Sequence, residues 1–408
     1  SCFAITFLVS KKLSLKEILF FGISFRLVLF FAYPWLSEDF YRFIWDGFVI
    51  GENINPYEYT PSELMNNEEV LETKIKFEKL YGKMSNLNSL NYSPYPPINQ
   101  FLFFLSTSFK KDIFSSLISM RSLIIASDIL NFFIGRGILK KLKLKEEKIL
   151  WYFLNPLVII ELTGNLHFEG LMLTFFGFGI LLFLDNKKLF AVFPLALSVG
   201  TKLITIIIIP FIINHKKISE NLKMIILFFG LLFFIFILPI GNNNLPNFYN
   251  TIKLWFSNLE FNGSVYYIIR YLGYKIMGYN IIKSVGLVTP LITTITIFYL
   301  IFYKKRKETK TTLEDMLLIL SFFYLISMVV HPWYIITILY LGLFTKYNFQ
   351  IIWSALIFLT YSAYQNSKVE ENFYLIGLEY IIVVGFFIYE FLGQEKIKTF
   401  LKKKFLFL

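Results

Sequence analysis

Residues 37–59 read SEDFYRFIWDGFVIGENINPYEY, and three charges in this stretch are spaced for chemistry. Asp39, Arg42 and Asp46 lie three and four residues apart, so a helix through them carries all three on one face. Phe40, Phe43, Ile44 and Phe48 fall mostly on the other. A carboxylate can take the proton of an attacking hydroxyl, and a cation can hold an anionic leaving group. Ser37 is a natural cap, with Glu38 and Asp39 favoured in the first turn by the helix dipole. Gly51 is a stop signal and Asn55-Pro56 a turn. The plainer alternative is an ion-pair ladder that only holds the helix in place.

Other polar groups stand out against apolar surroundings: Glu161, Asn165, His167 and Glu169, then Lys202, then His331. The stretch NYSPYPPINQ (residues 91–100), which contains Tyr95, has the prolines of an extended, rigid approach to the next segment. WFSNLEFNGSVYYIIR (residues 255–270) ends on Arg270 and reads otherwise as an aromatic interface belt. Asn262-Gly263-Ser264 also fits a glycosylation acceptor. Of the 40 basic residues only six are arginine, and Arg42, Arg121 and Arg270 fall on one side of the chain's path; a guanidinium binds phosphate bidentately. His167 and Glu169 are poorly spaced to chelate a metal, and no third ligand is evident. Neither a Gly-rich phosphate loop nor a CxxC pair occurs, so no cofactor is indicated.

The elements that carry these groups are apolar. The chain has 408 residues, 56% of them hydrophobic and 20% aromatic, with mean hydropathy +0.60. Only 17% are charged, against roughly 25% in a soluble domain. Runs such as 224–240 and 376–391 approach the ~20 residues that a helix needs to cross a bilayer. Backbone groups in lipid must be paired internally, so the spans are helices, and no alternating barrel pattern is present. This predicts an all-α polytopic membrane protein, a single integral unit over 1–408. The net charge of +12 is assigned to basic cytoplasmic loops rather than to nucleic-acid binding. Cys2 is the only cysteine, so an intrachain disulfide is excluded. Residues 1–9 are apolar but too short to span, lack a following cleavage site, and read as the stump of a truncated first helix.

Apolar runs give twelve spans: 17–36, 113–139, 149–163, 168–184, 189–200, 203–214, 224–240, 284–303, 313–330, 333–344, 351–364 and 373–391. Lys11, Lys12 and Lys16, the cluster at 140–148, Lys216 and Lys217, the run at 304–310 and the basic tail go inside. Of the 40 basic residues this puts 25 inside, 14 outside and Arg26 within a span. Residues 37–112 then form a first outer loop and 241–283 a second. The nine-residue run 101–109, followed by Lys110 and Lys111, lies in the outer interface. His215 is interfacial on the inner side. Several outward hairpins are too short to cross, so their turns sink to membrane depth and line a wet cavity. Their polar residues converge there and are functional candidates.

At the first loop the chain resembles the GT-C glycosyltransferases, membrane enzymes that use polyprenyl-phosphate sugars, and in particular bacterial mannosyltransferases near the GPI mannosyltransferases. The resemblance rests on Glu38-Asp39, on the stretch DFYRFIWDG with the following NPY (residues 39–57), on YPPINQ, Arg121 and Lys202, and on HPWY at 331–334. It implies transfer of a hexose, mannose, from a lipid-linked donor to a glycan or lipid-linked acceptor at the outer face, in a bacterial inner membrane with the site facing the periplasm. It implies Asp39, with Glu38 beside it, as the base. Lys202, Arg270 and Arg121 would hold the donor phosphate, and Arg42, Asp46, His167, Glu169, His331 and Tyr95 the substrates. The acids here are Glu-Asp rather than the Asp-x-Asp of metal-dependent relatives, which leaves a divalent metal open. A transporter or lipid flippase is the alternative, disfavoured by the lack of an internal repeat.

Overall fold

A computed structural model describes residues 13–67, 77–109, 112–213, 218–303, 309–365 and 369–393. Residues 1–9, Lys11, Lys12, Lys110, Lys111, His215, Lys216, Lys217, the 304–308 run and the basic tail lie outside the described residues. Among the described residues every regular element is a helix; the only extended pairing is an isolated bridge between Phe261 and Val329.

The first helix, α1 (Leu15–Val28), starts on a capping box between Ser14 and Glu17. It ends eight residues before the expected span limit, and residues 29–38 are irregular. Within residues 37–112 the two longest helices described are α2 (Asp39–Gly51) and α3 (Pro97–Thr107). Glu38 occupies the N-cap position, and the Ser37 hydroxyl accepts from the Asp39 N–H at 3.3 Å. The α2–α3 contact is close because of Gly47: a Cβ there would lie 2.6 Å from the Phe103 carbonyl oxygen. Phe43 and Phe103 stack across it at 4.6 Å. Asn55 fixes the far end, its amide donating to the carbonyls of Pro239 and Ile240 at 3.0 and 3.1 Å.

Next come α4 (Ile113–Lys141), α5 (Glu169–Leu184), α6 (Lys188–Thr201) and α7 (Ile218–Ile240). Residues 241–283 hold α8 (Leu245–Ser257) and α9 (Val265–Met277). The chain closes with α10 (Ile282–Phe302), α11 (Thr309–Ile326), α12 (Ile335–Gly342), α13 (Phe349–Leu356) and α14 (Phe373–Leu392). Gly286 admits the α8 backbone, since a Cβ would meet the Phe256 carbonyl oxygen at 1.6 Å.

Four described helices are long and apolar enough to cross a bilayer alone, namely Ile113–Lys141, Ser219–Ile240, Ile282–Phe302 and Phe373–Leu392. The pair Pro156–Gly164 and Glu169–Leu184, bent by 115°, supplies a fifth if it is one span. This is an all-α membrane protein. The expected span 149–163 is not one helix. Asn155 caps a new start by accepting from the Leu157 N–H, Pro156 cannot continue the ladder, and a π-helical turn (Ile159–Gly164) follows. The expected spans 203–214, 333–344 and 351–364 are likewise assembled from 3-10 and short α pieces.

Candidate active site

The short, broken elements meet around a cavity of about 640 Å³. Asp39, Tyr95, His167, Glu169, Lys202 and Tyr334 line its polar end. From there it runs along aliphatic and aromatic walls, with Ile204 and Ile207 after α6, Ile297 and Ile301 on α10, and Phe323 on α11. Ile252, Trp255 and Phe256 of α8 also line it.

Lys202 follows the last residue of α6, where the backbone turns extended and the helix ladder stops. It ion-pairs with Glu169, the first residue of α5. The Ser198 hydroxyl donates to the Met172 carbonyl at 3.1 Å, tying the two helix ends together. Lys202 Nζ also lies 5.8 Å from the Tyr334 ring centre. Glu169 is nearly fully buried, and its second oxygen, Oε2, has no partner.

Asp39 opens α2 and is half-buried at the cavity. The Asn88 amide donates to its Oδ1 at 3.4 Å. Burial pushes its carboxyl above the usual aspartate range; the Asn88 hydrogen bond, the Lys202 charge and Ser37 act in the opposite direction. Glu38 is exposed and does not line the cavity.

Arg42 shares a helix face with Asp39 but pairs elsewhere. Its Nε donates to Asp46 at 2.7 Å, and Nη1 reaches the carbonyls of Asn88 and Asn91 at 2.5 and 2.8 Å. Asp46 also accepts from Ser93 Oγ at 2.5 Å and from Gln100 Nε2 at 2.7 Å. Both charges are 1% exposed. The ladder therefore points away from the cavity and ties α2 to the proline-rich stretch that delivers Tyr95. Asp39 escapes it because its partners, Asn88 and Lys202, come from elsewhere in the chain.

The remaining candidates divide. His167 lies in the turn after the π-helix, beside Leu166 at φ 66°, a left-handed conformation costly for a bulky side chain. Its ring stacks on Trp333 at 3.8 Å, and Trp333 stacks on His331 at 4.4 Å. Phe261 covers the outer face of His331 at 5.0 Å. His331 thus supports the wall without lining it. Arg121 is fully buried and donates to the carbonyls of Thr163, Phe30 and Gly164 at 2.7, 2.7 and 3.4 Å, away from the cavity lining. Arg270 is held by Glu260 at 2.6 Å and lies over the Tyr267 ring, also outside the lining. Asn262 is fully buried against Glu379, which closes it to glycosylation. Sequence reading gave no site role to Tyr324 and Thr337, since aromatic and hydroxyl side chains on apolar segments look like core, nor to Asn88 in its polar loop, and it used Trp333 and Tyr334 only as part of HPWY. Among the described residues no group of three or more His, Cys, Asp or Glu could hold a metal ion.

A carboxylate and an ammonium thus stand at the head of a cavity with apolar walls. Residues 5–216, just over half of the chain, match the family described as alpha-(1->6)-mannopyranosyltransferase, N-terminal domain. The chain belongs to that family. No curated protein sequence matches it. The protein is a membrane glycosyltransferase of the mannosyltransferase kind, and the transporter reading gives way. The matched half of this mannosyltransferase contains Asp39, Tyr95, His167, Glu169 and Lys202. The other half adds the walls from α8, α10 and α11 and the Trp333–Tyr334 turn.

Proposed function

We propose that this mannosyltransferase moves a hexose, mannose, from a polyprenyl-phosphate donor to an acceptor hydroxyl, with inversion at the anomeric carbon. The observation that carries the proposal is a single cavity whose head holds opposite charges and whose length is hydrocarbon. A soluble nucleotide sugar has no use for such a length; a polyprenyl chain is buried by it at roughly 25 cal/mol per Å² of apolar surface. The phosphate then meets Lys202. Asp39 takes the acceptor's proton as the acceptor oxygen bonds to the anomeric carbon. The bond from that carbon to the phosphate oxygen breaks with its electron pair on the phosphate, which Lys202 neutralises. Attack opposite the leaving phosphate turns a β-linked donor into an α-linked product, the anomer named for the family. The acceptor is a glycan or lipid-linked glycan, and a 6-hydroxyl is the position that the family's linkage names.

We read the lysine-rich stretches as cytoplasmic, an orientation in which Asp39 and Lys202 face the outer side of a bacterial inner membrane. The test is transfer by the purified chain in detergent from β-polyprenyl-phosphate mannose, with the product's anomeric configuration read by NMR. An α-linked product supports the proposal. Transfer from a soluble nucleotide sugar alone, or a β-linked product, contradicts it.

A further inference from the structure

One wall of the cavity serves neither a phosphate nor a hydrocarbon chain. Glu169, 1% exposed, gives Oε1 to Lys202 and leaves Oε2 without a partner. Thr337, also 1% exposed, has a hydroxyl beside the Tyr324 phenol but no hydrogen bond of acceptable geometry. His167 Nε2 is unpartnered as well, 3.6 Å from the nearest oxygen of Glu161. All three side chains line the cavity. So do Tyr324 and Tyr334, whose rings stack at 5.8 Å and 19°. A buried polar atom without a partner is costly, and native interiors hold few. Three around one cavity mark a surface completed by a bound molecule. An unpaired carboxylate oxygen repels phosphate, and polar atoms gain nothing from an isoprenoid tail. Several neutral hydroxyl groups on a compact ring match this wall: they donate to Glu169 Oε2, exchange hydrogen bonds with Thr337 and His167, and present C–H edges to the phenol rings.

We propose that Glu169 Oε2, His167 Nε2, Thr337 Oγ1 and the Tyr324 phenol form the subsite that binds the hydroxyls of the donor's hexose, a proposal resting on the donor reading above. It assigns Glu169 two duties, one oxygen orienting Lys202 and the other recognising the sugar. It also gives α11 and α12, outside the matched half, the task of sugar selection.

The test compares binding of two probes to the full chain in detergent: polyprenyl-phosphate mannose and bare polyprenyl phosphate. The wild type is expected to prefer the sugar-bearing lipid by about tenfold or more. Thr337→Val keeps the shape and removes the hydroxyl, and Tyr324→Phe is the second variant. In each, the preference falls by about tenfold while the affinity for bare polyprenyl phosphate stays unchanged. Unchanged preference in both variants overturns the subsite alone. Equal weakening of both probes assigns these residues to packing and overturns it too. A wild type with no preference for the sugar-bearing lipid instead overturns the donor reading, and the subsite with it.

Discussion

Removing the Lys202 ammonium tests two consequences of one contact. Lys202 is 20% exposed and its partner Glu169 2% exposed, so Lys202→Met strands a carboxylate in a buried place. Breaking a buried pair from one side costs about 3–5 kcal/mol. The fifth of Lys202 that meets the cavity lets water screen the charge, which reduces the figure to about 2–3 kcal/mol. The second consequence is the donor. A charge-assisted hydrogen bond to phosphate contributes about 1.5–3 kcal/mol, so donor affinity falls roughly 10- to 150-fold. Thermal unfolding in detergent reads the first loss, and donor titration reads the second. The double variant Lys202→Met/Glu169→Gln separates them: stability returns towards the wild type because no buried charge is stranded, whereas donor affinity does not. Donor affinity within twofold of the wild type in Lys202→Met would refute the phosphate role. A double variant no more stable than the single one would refute the account of the pair.

Arg42→Ala strands Asp46 among Ser93 and Gln100 and is expected to cost about 3–5 kcal/mol, read as a lower unfolding temperature. A variant as stable as the wild type would remove the ladder's structural role. Gly47→Ala drives a Cβ to 2.6 Å from the Phe103 carbonyl and separates α2 from α3; unaltered unfolding would show that the contact yields cheaply. The raised carboxyl of Asp39 sets two pH effects. The acid limb of kcat/KM lies above the ordinary aspartate range, and Asp39→Asn removes it. Because the folded-state value is raised, Asp39's contribution to stability is fully present below the unfolded value and lost as pH rises through the folded one. Asp39→Asn is therefore at least as stable as the wild type at neutral pH, and a marked drop in unfolding temperature contradicts this. With Cys2 replaced, a cysteine at Glu58 reacts with an impermeant reagent from outside and one at Lys140 does not; the reverse pattern overturns the orientation.

The class of the fold was legible because hydrophobic runs and base rates of charge leave few other choices, and because the first loop carries its own punctuation. Gly51 ends α2 and Asn55 makes its turn where the residue types require. Segment lengths assigned Glu169 and Lys202, more than thirty positions apart, to one cavity, and both line it. The interior of the spans was less legible. A run such as 149–163 is uniformly apolar, and only Asn155-Pro156 signals that it breaks into pieces. Partner choice was least legible. Helical spacing put Asp39, Arg42 and Asp46 on one face, but α2 offers two directions along that face. The contacts that decide between them, from Asn88, Ser93 and Gln100, are set by tertiary packing that spacing within α2 does not contain. Arg121 and Arg270 were selected for their charge; one is spent on carbonyls that a broken helix leaves unpaired, the other on Glu260.

The central claim is that Asp39 is the base for sugar transfer, and the most direct measurement is turnover by Asp39→Asn with β-polyprenyl-phosphate mannose and a hydroxyl acceptor. The substitution keeps size and the Asn88 contact region while removing the proton acceptor. The account predicts a fall in kcat of about 10²–10⁴-fold, with donor affinity and unfolding temperature retained. Turnover within a few-fold of the wild type would contradict it and move the base to Glu169, the other carboxylate lining the cavity.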